Sequence, residues 1–170
     1  RTGTLWRNEQ SGIKPDIMTV GKGLGGDIRM AAILVSTRGA CFGPGDHGST
    51  FGGNALCSAV ATAVLRHILE EDLSGNAAAV GSYFTERLLA LQEKWKIAKA
   101  VRGQGLLLAV EFSEPIALQV VKACRDLGLL ANPLPPHTIR FMPPLIMGRK
   151  DVVQATLILD AALEQVVSLS

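Results

Sequence analysis

Short apolar runs bounded by Gly, Pro and Asp alternate along this chain with longer stretches in which apolar residues recur at helical spacing. Ile17–Val20 and Ile28–Val35 read as strands, the second ending in a run of strand-favouring residues. A helix is expected from about Ala55 to Glu71, capped by Asn54, with Ala55, Ala59, Ala61 and Ala63 keeping it slim enough to pack closely against a sheet. A second helix, from about Asn76 to Lys94, sets Val80, Phe84, Leu88 and Leu91 at helical spacing and bridges the two parts of the chain. From Ile97 the pattern turns to strands. Val101 leads into a kink at Gly103 and Gly105, and Leu106–Phe112 reads as a buried strand. Pro115 opens a helix to about Leu127, where Gly128 ends it, and Ile139–Met142 forms another short strand. Asp151 begins a last helix with Val152, Val153, Leu157, Leu163 and Val166 on its apolar face. Alternating strands and helices predict an α/β architecture in two parts, residues 1–90 and 91–170, with no internal repeat or low-complexity segment.

Composition narrows the class. At 170 residues and 48% hydrophobic, the chain has the material for a real core. Seventeen Lys and Arg against fifteen Asp and Glu leave a net charge of +2, which is no basic footprint for nucleic acid. No apolar run approaches the length of a membrane span, and no signal-peptide pattern opens the sequence. Cys41, Cys57 and Cys124 are odd in number and widely spaced, which fits reduced thiols and a cytoplasmic location. His47 and His67 lack metal-ligand spacing, so no metal is expected.

The chemistry concentrates around Lys22, in the string Gly21-Lys22-Gly23-Leu24-Gly25-Gly26 directly after the first strand. Flanking glycines remove steric cover and let a bulky ligand lie against the main chain. A lysine so presented can be a solvated charge, a phosphate ligand or a Schiff-base nucleophile. Gly21, Gly23 and Gly26 also satisfy G-x-G-x-x-G, the dinucleotide fingerprint, which requires a helix to follow at once. The residues from Ile28 to Val35 carry no helix start. Further on, Gly45-Asp46-His47-Gly48-Ser49-Thr50-Phe51-Gly52-Gly53-Asn54 sets two hydroxyls between glycines ahead of a helix, a pattern suited to an anion such as phosphate or to a plain turn.

Lys14–Gly26 (Lys-Pro-Asp-Ile-Met-Thr-Val-Gly-Lys-Gly-Leu-Gly-Gly) and Gly45–Asn54 together closely resemble the class III aminotransferases, nearest their acetylornithine branch. Arg102-Gly103-Gln104-Gly105-Leu106 and Arg140-Phe141-Met142-Pro143-Pro144-Leu145 continue the likeness in the family's order and spacing. The resemblance implies the C-terminal part of a fold-type I pyridoxal-phosphate-dependent transferase, namely the end of the large cofactor domain with its bridging helix and a small C-terminal α/β domain. It implies pyridoxal 5′-phosphate as cofactor, carried on Lys22 as a Schiff base. It further implies Thr50 binding the cofactor phosphate across a homodimer interface, and Ser49 beside the substrate. Arg140 would meet a substrate carboxylate or pair with a gating glutamate, the alternative being a structural ion pair. The reaction implied moves an amino group from N-acetylornithine or a related ω-amino compound to 2-oxoglutarate, in arginine biosynthesis.

The aspartate that faces the pyridine nitrogen, the earlier phosphate loop, the ring-stacking aromatic and the first carboxylate-binding arginine of the family have no counterpart here. The 170 residues alone are therefore expected to be inactive and to fold poorly. Asp27-Ile28-Arg29 also departs from the family pattern, which has a further glycine, an aromatic or aliphatic residue, and proline. Two competing readings remain at this level: a nucleotide-binding oxidoreductase, and an inactive remnant that only dimerises.

Overall fold

The computed structural model describes residues 1–168. The chain divides into two compact units, one of Trp6–Leu73 and one formed by Arg1–Leu5 with the chain from Ser74 onward.

The first unit begins with the short helix α1 (Asn8–Ser11), followed by β1 (Ile17–Val20), a 3₁₀ turn (Lys22–Gly25), β2 (Ala32–Val35) and helix α2 (Ala55–Glu70). β1 and β2 pair antiparallel, from Ile17 opposite Val35 to Val20 opposite Ala32. The strand expected from Ile28 therefore starts later. Ile28 N–H donates to Gly25 O in a tight turn, and the chain must leave that turn before it can pair. Two strands cannot bury both faces, and Ile17, Ile33, Leu34 and Val35 are exposed within this unit. Asp16 anchors the pair. Its carboxylate accepts from Ser36 Oγ at 2.9 Å and forms an ion pair with Arg38. In α2 the alanines do not act as expected, because Ala55, Ala59 and Ala63 are exposed and only Ala61 is buried. The helix packs on the 3₁₀ turn, with Val64 beside Gly26 at its end.

The second unit contains α3 (Leu73–Lys94, from Ser74), β3 (Ala98–Gln104), β4 (Leu107–Phe112), α4 (Ala117–Asp126), β5 (Asn132–Leu134), β6 (Thr138–Phe141) and α5 (Arg149–Val167). Its sheet has the order β3-β4-β6-β5, antiparallel throughout. By compactness, α3 from Ser74 groups with this unit. Ala77, Val80, Phe84 and Leu88, one stripe of α3, are buried in the same core as Leu108, Val110 and Phe112 of β4 and Ile139 and Phe141 of β6. Phe84 and Phe141 meet with ring centroids 5.2 Å apart. Fully burying such side chains contributes about 1.5–3 kcal/mol each.

β4 was expected to be buried throughout, yet it alternates. Leu108, Val110 and Phe112 face the core while Leu107 is exposed and Glu111 lies on the other face. An antiparallel sheet with helices on one side leaves its second side to solvent. On α5 the buried stripe runs through Val152, Ala155, Thr156, Leu159, Ala162 and Leu163, whereas Leu157 points outward. Asp151 sits in the first turn of α5, and its Oδ2 accepts from the Gly148 N–H at 2.8 Å, closing the helix start from within. Among the described residues no helix is long and apolar enough to cross a membrane.

Candidate functional site

Lys22 opens the 3₁₀ turn at the end of β1 with φ 51°, a left-handed conformation rare for a residue with a side chain. Holding it there costs about 1–3 kcal/mol, which the surrounding structure must supply. The supports are visible. Leu24 N–H donates to Gly21 O and Gly26 N–H to Gly23 O, each at 3.2 Å, and α2 packs behind the turn. Gly25 is buried, and a Cβ there would press Met30 Cβ at 3.2 Å, so the backbone lies tight on its own return segment. The Lys22 side chain is exposed and forms no hydrogen bond or ion pair among the described residues. It lines a concavity of about 500 Å³ with Asp27, Arg29 and Ala31.

The second motif lies in the same unit. Ser49, Phe51 and the glycines after them line a neighbouring concavity of about 590 Å³, and Arg29, Met30 and Ala31 belong to both walls. The structure thus sets the Lys22 turn and the Ser49 turn against one shared segment, although more than twenty residues separate them in sequence. Gly52 N–H donates to Ser49 O at 3.3 Å, and Asn54 Oδ1 caps α2 by accepting from Cys57 N–H at 3.1 Å. Thr50 is exposed beside Ser49 and is not part of either wall. The His47 ring stacks on Phe42, with centroids 5.9 Å apart, and His67 is exposed on α2. No group of His, Cys, Asp and Glu suited to a metal ion occurs among the described residues.

Arg140 belongs to the other unit. It lies on β6, opposite Asn132 of β5 and Ala109 of β4. Its Nη2 donates to Asn132 Oδ1 at 2.9 Å, while its buried Nε has no partner. The structural ion pair that was one alternative for Arg140 does not occur among the described residues. The side chain lines a cavity of about 420 Å³ with Phe84, Asn132, Phe141, Met142 and Pro143. Asn132 was not singled out in the sequence, since only the β5–β6 register brings it to Arg140. Arg102 has a structural role, paired with Glu111 of β4, which Lys99 also approaches at 3.5 Å.

The dinucleotide reading fails on topology. It needs a helix opening after Gly26, and the chain instead makes a turn and returns antiparallel along β1.

The family model described as aminotransferase class-III matches residues 1–163. The acetylornithine aminotransferase of Caldanaerobacter subterraneus subsp. tengcongensis is 40% identical over 166 residues, covering 98% of this chain and 42% of the relative. The crystal structure of acetylornithine aminotransferase from Elizabethkingia anophelis superimposes with a TM-score of 0.90 at 34% identity, over 97% of this chain and 43% of that one. An amine transaminase from an uncultivated Pseudomonas species, solved in its PLP-bound form, gives a TM-score of 0.88 at 30% identity, over 97% and 42% of the two chains. The chain therefore spans about two fifths of the length of the curated relatives it matches.

Proposed function

The chain belongs to the class III aminotransferases, whose cofactor is pyridoxal 5′-phosphate, and on that premise we propose that its complete protein transfers an amino group from an ω-amino donor such as N-acetylornithine to 2-oxoglutarate. In this reading it serves arginine biosynthesis in the cytoplasm as a homodimer, with Thr50 contributing to the partner's site. The residues present fit the cofactor. Lys22 offers an exposed amine with no competing partner among the described residues, and a Cβ on Gly23 or Gly48 would meet nothing within 4 Å, so both turns leave open space for a bulky group.

When bound, the cofactor supplies an electron sink for the charge left on the donor carbon as its proton departs. Lys22 would hold the cofactor through Nζ. As general base Nζ would accept the proton from the carbon that carries the donor amine, and as general acid it would deliver that proton to a second carbon. Lys22, at the left-handed start of the turn, lines the open concavity. Thr50 would hold the cofactor phosphate of the partner's site through its hydroxyl, and the Ser49 hydroxyl would serve the substrate side. Arg140, steadied by Asn132, would receive a substrate carboxylate through guanidinium N–H groups that no acid among the described residues occupies.

The observation that carries the reading is the Lys22 turn itself, a strained, unpartnered lysine whose concavity shares a wall with the Ser49 turn. Borohydride reduction of the complete protein followed by peptide mapping tests it. The label is expected on Lys22, and a label on any other lysine refutes the assignment.

A further inference from the structure

Leu107, Ala109 and Glu111 of β4 lie on the sheet face opposite the buried Leu108, Val110 and Phe112. The strand register sets Arg102 of β3 and Arg140 of β6 on either side of Ala109. Glu111, two positions further along β4 on the same face, is therefore a diagonal neighbour of both arginines. Diagonal neighbours in antiparallel strands are about 7–8 Å apart, a span that long side chains cross. Glu111 could serve either guanidinium, and it serves Arg102. Its Oε2 is paired with Arg102 Nη2, and Lys99 Nζ stands 3.5 Å from its Oε1, so both carboxylate oxygens are engaged from β3. Arg140 is left with the neutral Asn132 Oδ1 at 2.9 Å and a buried Nε that has no partner.

The Glu111 side chain is only 23% exposed, against 63% for Arg102. A carboxylate so placed cannot lose its cations cheaply, because a partly buried charge without a partner is costly. With Arg102 gone, the register offers it Arg140. A guanidinium occupied by an acid of its own chain cannot grip a second carboxylate through its fork of N–H groups. We propose that Arg102, helped by Lys99, holds Glu111 off Arg140, and so acts as a positioning residue that keeps the Arg140 guanidinium open to a ligand carboxylate. The pair does more than join β3 to β4. This inference rests on the reading of Arg140 as the group that receives a carboxylate.

The test follows binding of glutarate, a dicarboxylate that cannot accept an amino group, to the complete protein by calorimetric titration. Arg102→Gln is expected to weaken glutarate by about ten- to a hundredfold, the range covered by one charge-assisted contact. Glu111→Gln alone should leave the affinity within about threefold of the parent, and adding it to Arg102→Gln should return the affinity to that level, a strongly non-additive cycle. Lys99→Gln, a milder release of the same carboxylate, should act in the same direction as Arg102→Gln. Arg102→Lys keeps a cation against Glu111 and should keep most of the affinity. Lys99 and Arg102 are exposed, so the fold is expected to survive these changes, which melting temperatures check. Three results overturn the proposal: no effect of Arg102→Gln, a loss that Glu111→Gln does not restore, or a tightening by Glu111→Gln alone as large as the Arg102→Gln loss, which simple addition of charges would explain. Arg140→Gln separates the two ideas. Unchanged glutarate affinity in that variant sinks the reading of Arg140, whereas a loss there beside an inert Arg102→Gln sinks the proposal alone.

Discussion

Replacing Gly81 with alanine sets two effects of opposite sign against each other. Gly81 lies inside α3, where alanine is favoured over glycine by about 1 kcal/mol through helix propensity. A Cβ at this position, however, would overlap the Cα, C and O atoms of Gly105 in the turn between β3 and β4. Neither side can yield cheaply, because one is a helix backbone and the other is a turn held at φ 56° with Leu106 N–H bonded to Arg1 O. Overpacking of a well-filled core costs about 1–3 kcal/mol, and contact with main chain instead of a rotatable side chain places Gly81→Ala at the upper end. The net change is a loss of about 2 kcal/mol. At about 2–4 °C per kcal/mol for a chain of this length, the melting temperature should fall by roughly 4–8 °C. Thermal unfolding followed by circular dichroism measures it. A variant that melts at or above the parent temperature would show that the helix and turn can separate freely, and the packing argument would be wrong.

Thr50→Val keeps the side-chain shape but removes the hydroxyl, so the complete apo protein should bind pyridoxal phosphate about ten- to a hundredfold more weakly in an absorbance titration, and an unchanged dissociation constant would make Thr50 an ordinary turn residue. At Asp160 burial opposes ionisation, but hydrogen bonds from Lys94 at 2.7 Å and Trp95 at 2.6 Å, with the Lys94 charge, outweigh it and hold the carboxyl below its ordinary value of 3.8. A depressed carboxyl stabilises the fold above that value and stops doing so as pH falls through its folded pKa, so Asp160→Asn should cost about 1 kcal/mol at pH 7 in urea denaturation. A cost of the same size persisting at about pH 2 would count against the ionic origin. Burial pushes the Cys124 thiol up to about 11, so mass spectrometry after alkylation near neutral pH should find Cys41 modified and Cys124 intact until the chain is unfolded. Labelling of Cys124 at the rate of Cys41 would refute its burial.

Elements whose signals are local are legible along the chain. β1 matches its expected limits, α2 starts at the expected Asn54 cap, and α3 carries Val80, Phe84 and Leu88 on its buried stripe, because caps, turn residues and helical periodicity act within a few positions of one another. The family was legible for the same reason, since four ordered motifs survive in linear form and a matching family model spans residues 1–163. Tertiary structure decided what depends on partners distant in sequence. It shortened the strand at Ile28, because that residue closes a turn onto Gly25, and it brought Phe84 of α3 against Phe141 of β6. It turned Leu157 outward and Thr156 inward on a helix whose composition permits either face. The contact of Gly81 with Gly105 could not be read from two separate glycines, nor the Asn132–Arg140 bond from residues on different strands. The site divides in the same way. Lys22 declares itself through its glycine neighbours, whereas the wall that joins its concavity to that of Ser49 exists only once the chain has turned back through Arg29, Met30 and Ala31. Steric freedom and capping are properties of neighbouring residues and are written along the chain, while packing and shared walls depend on residues brought together only when the chain folds.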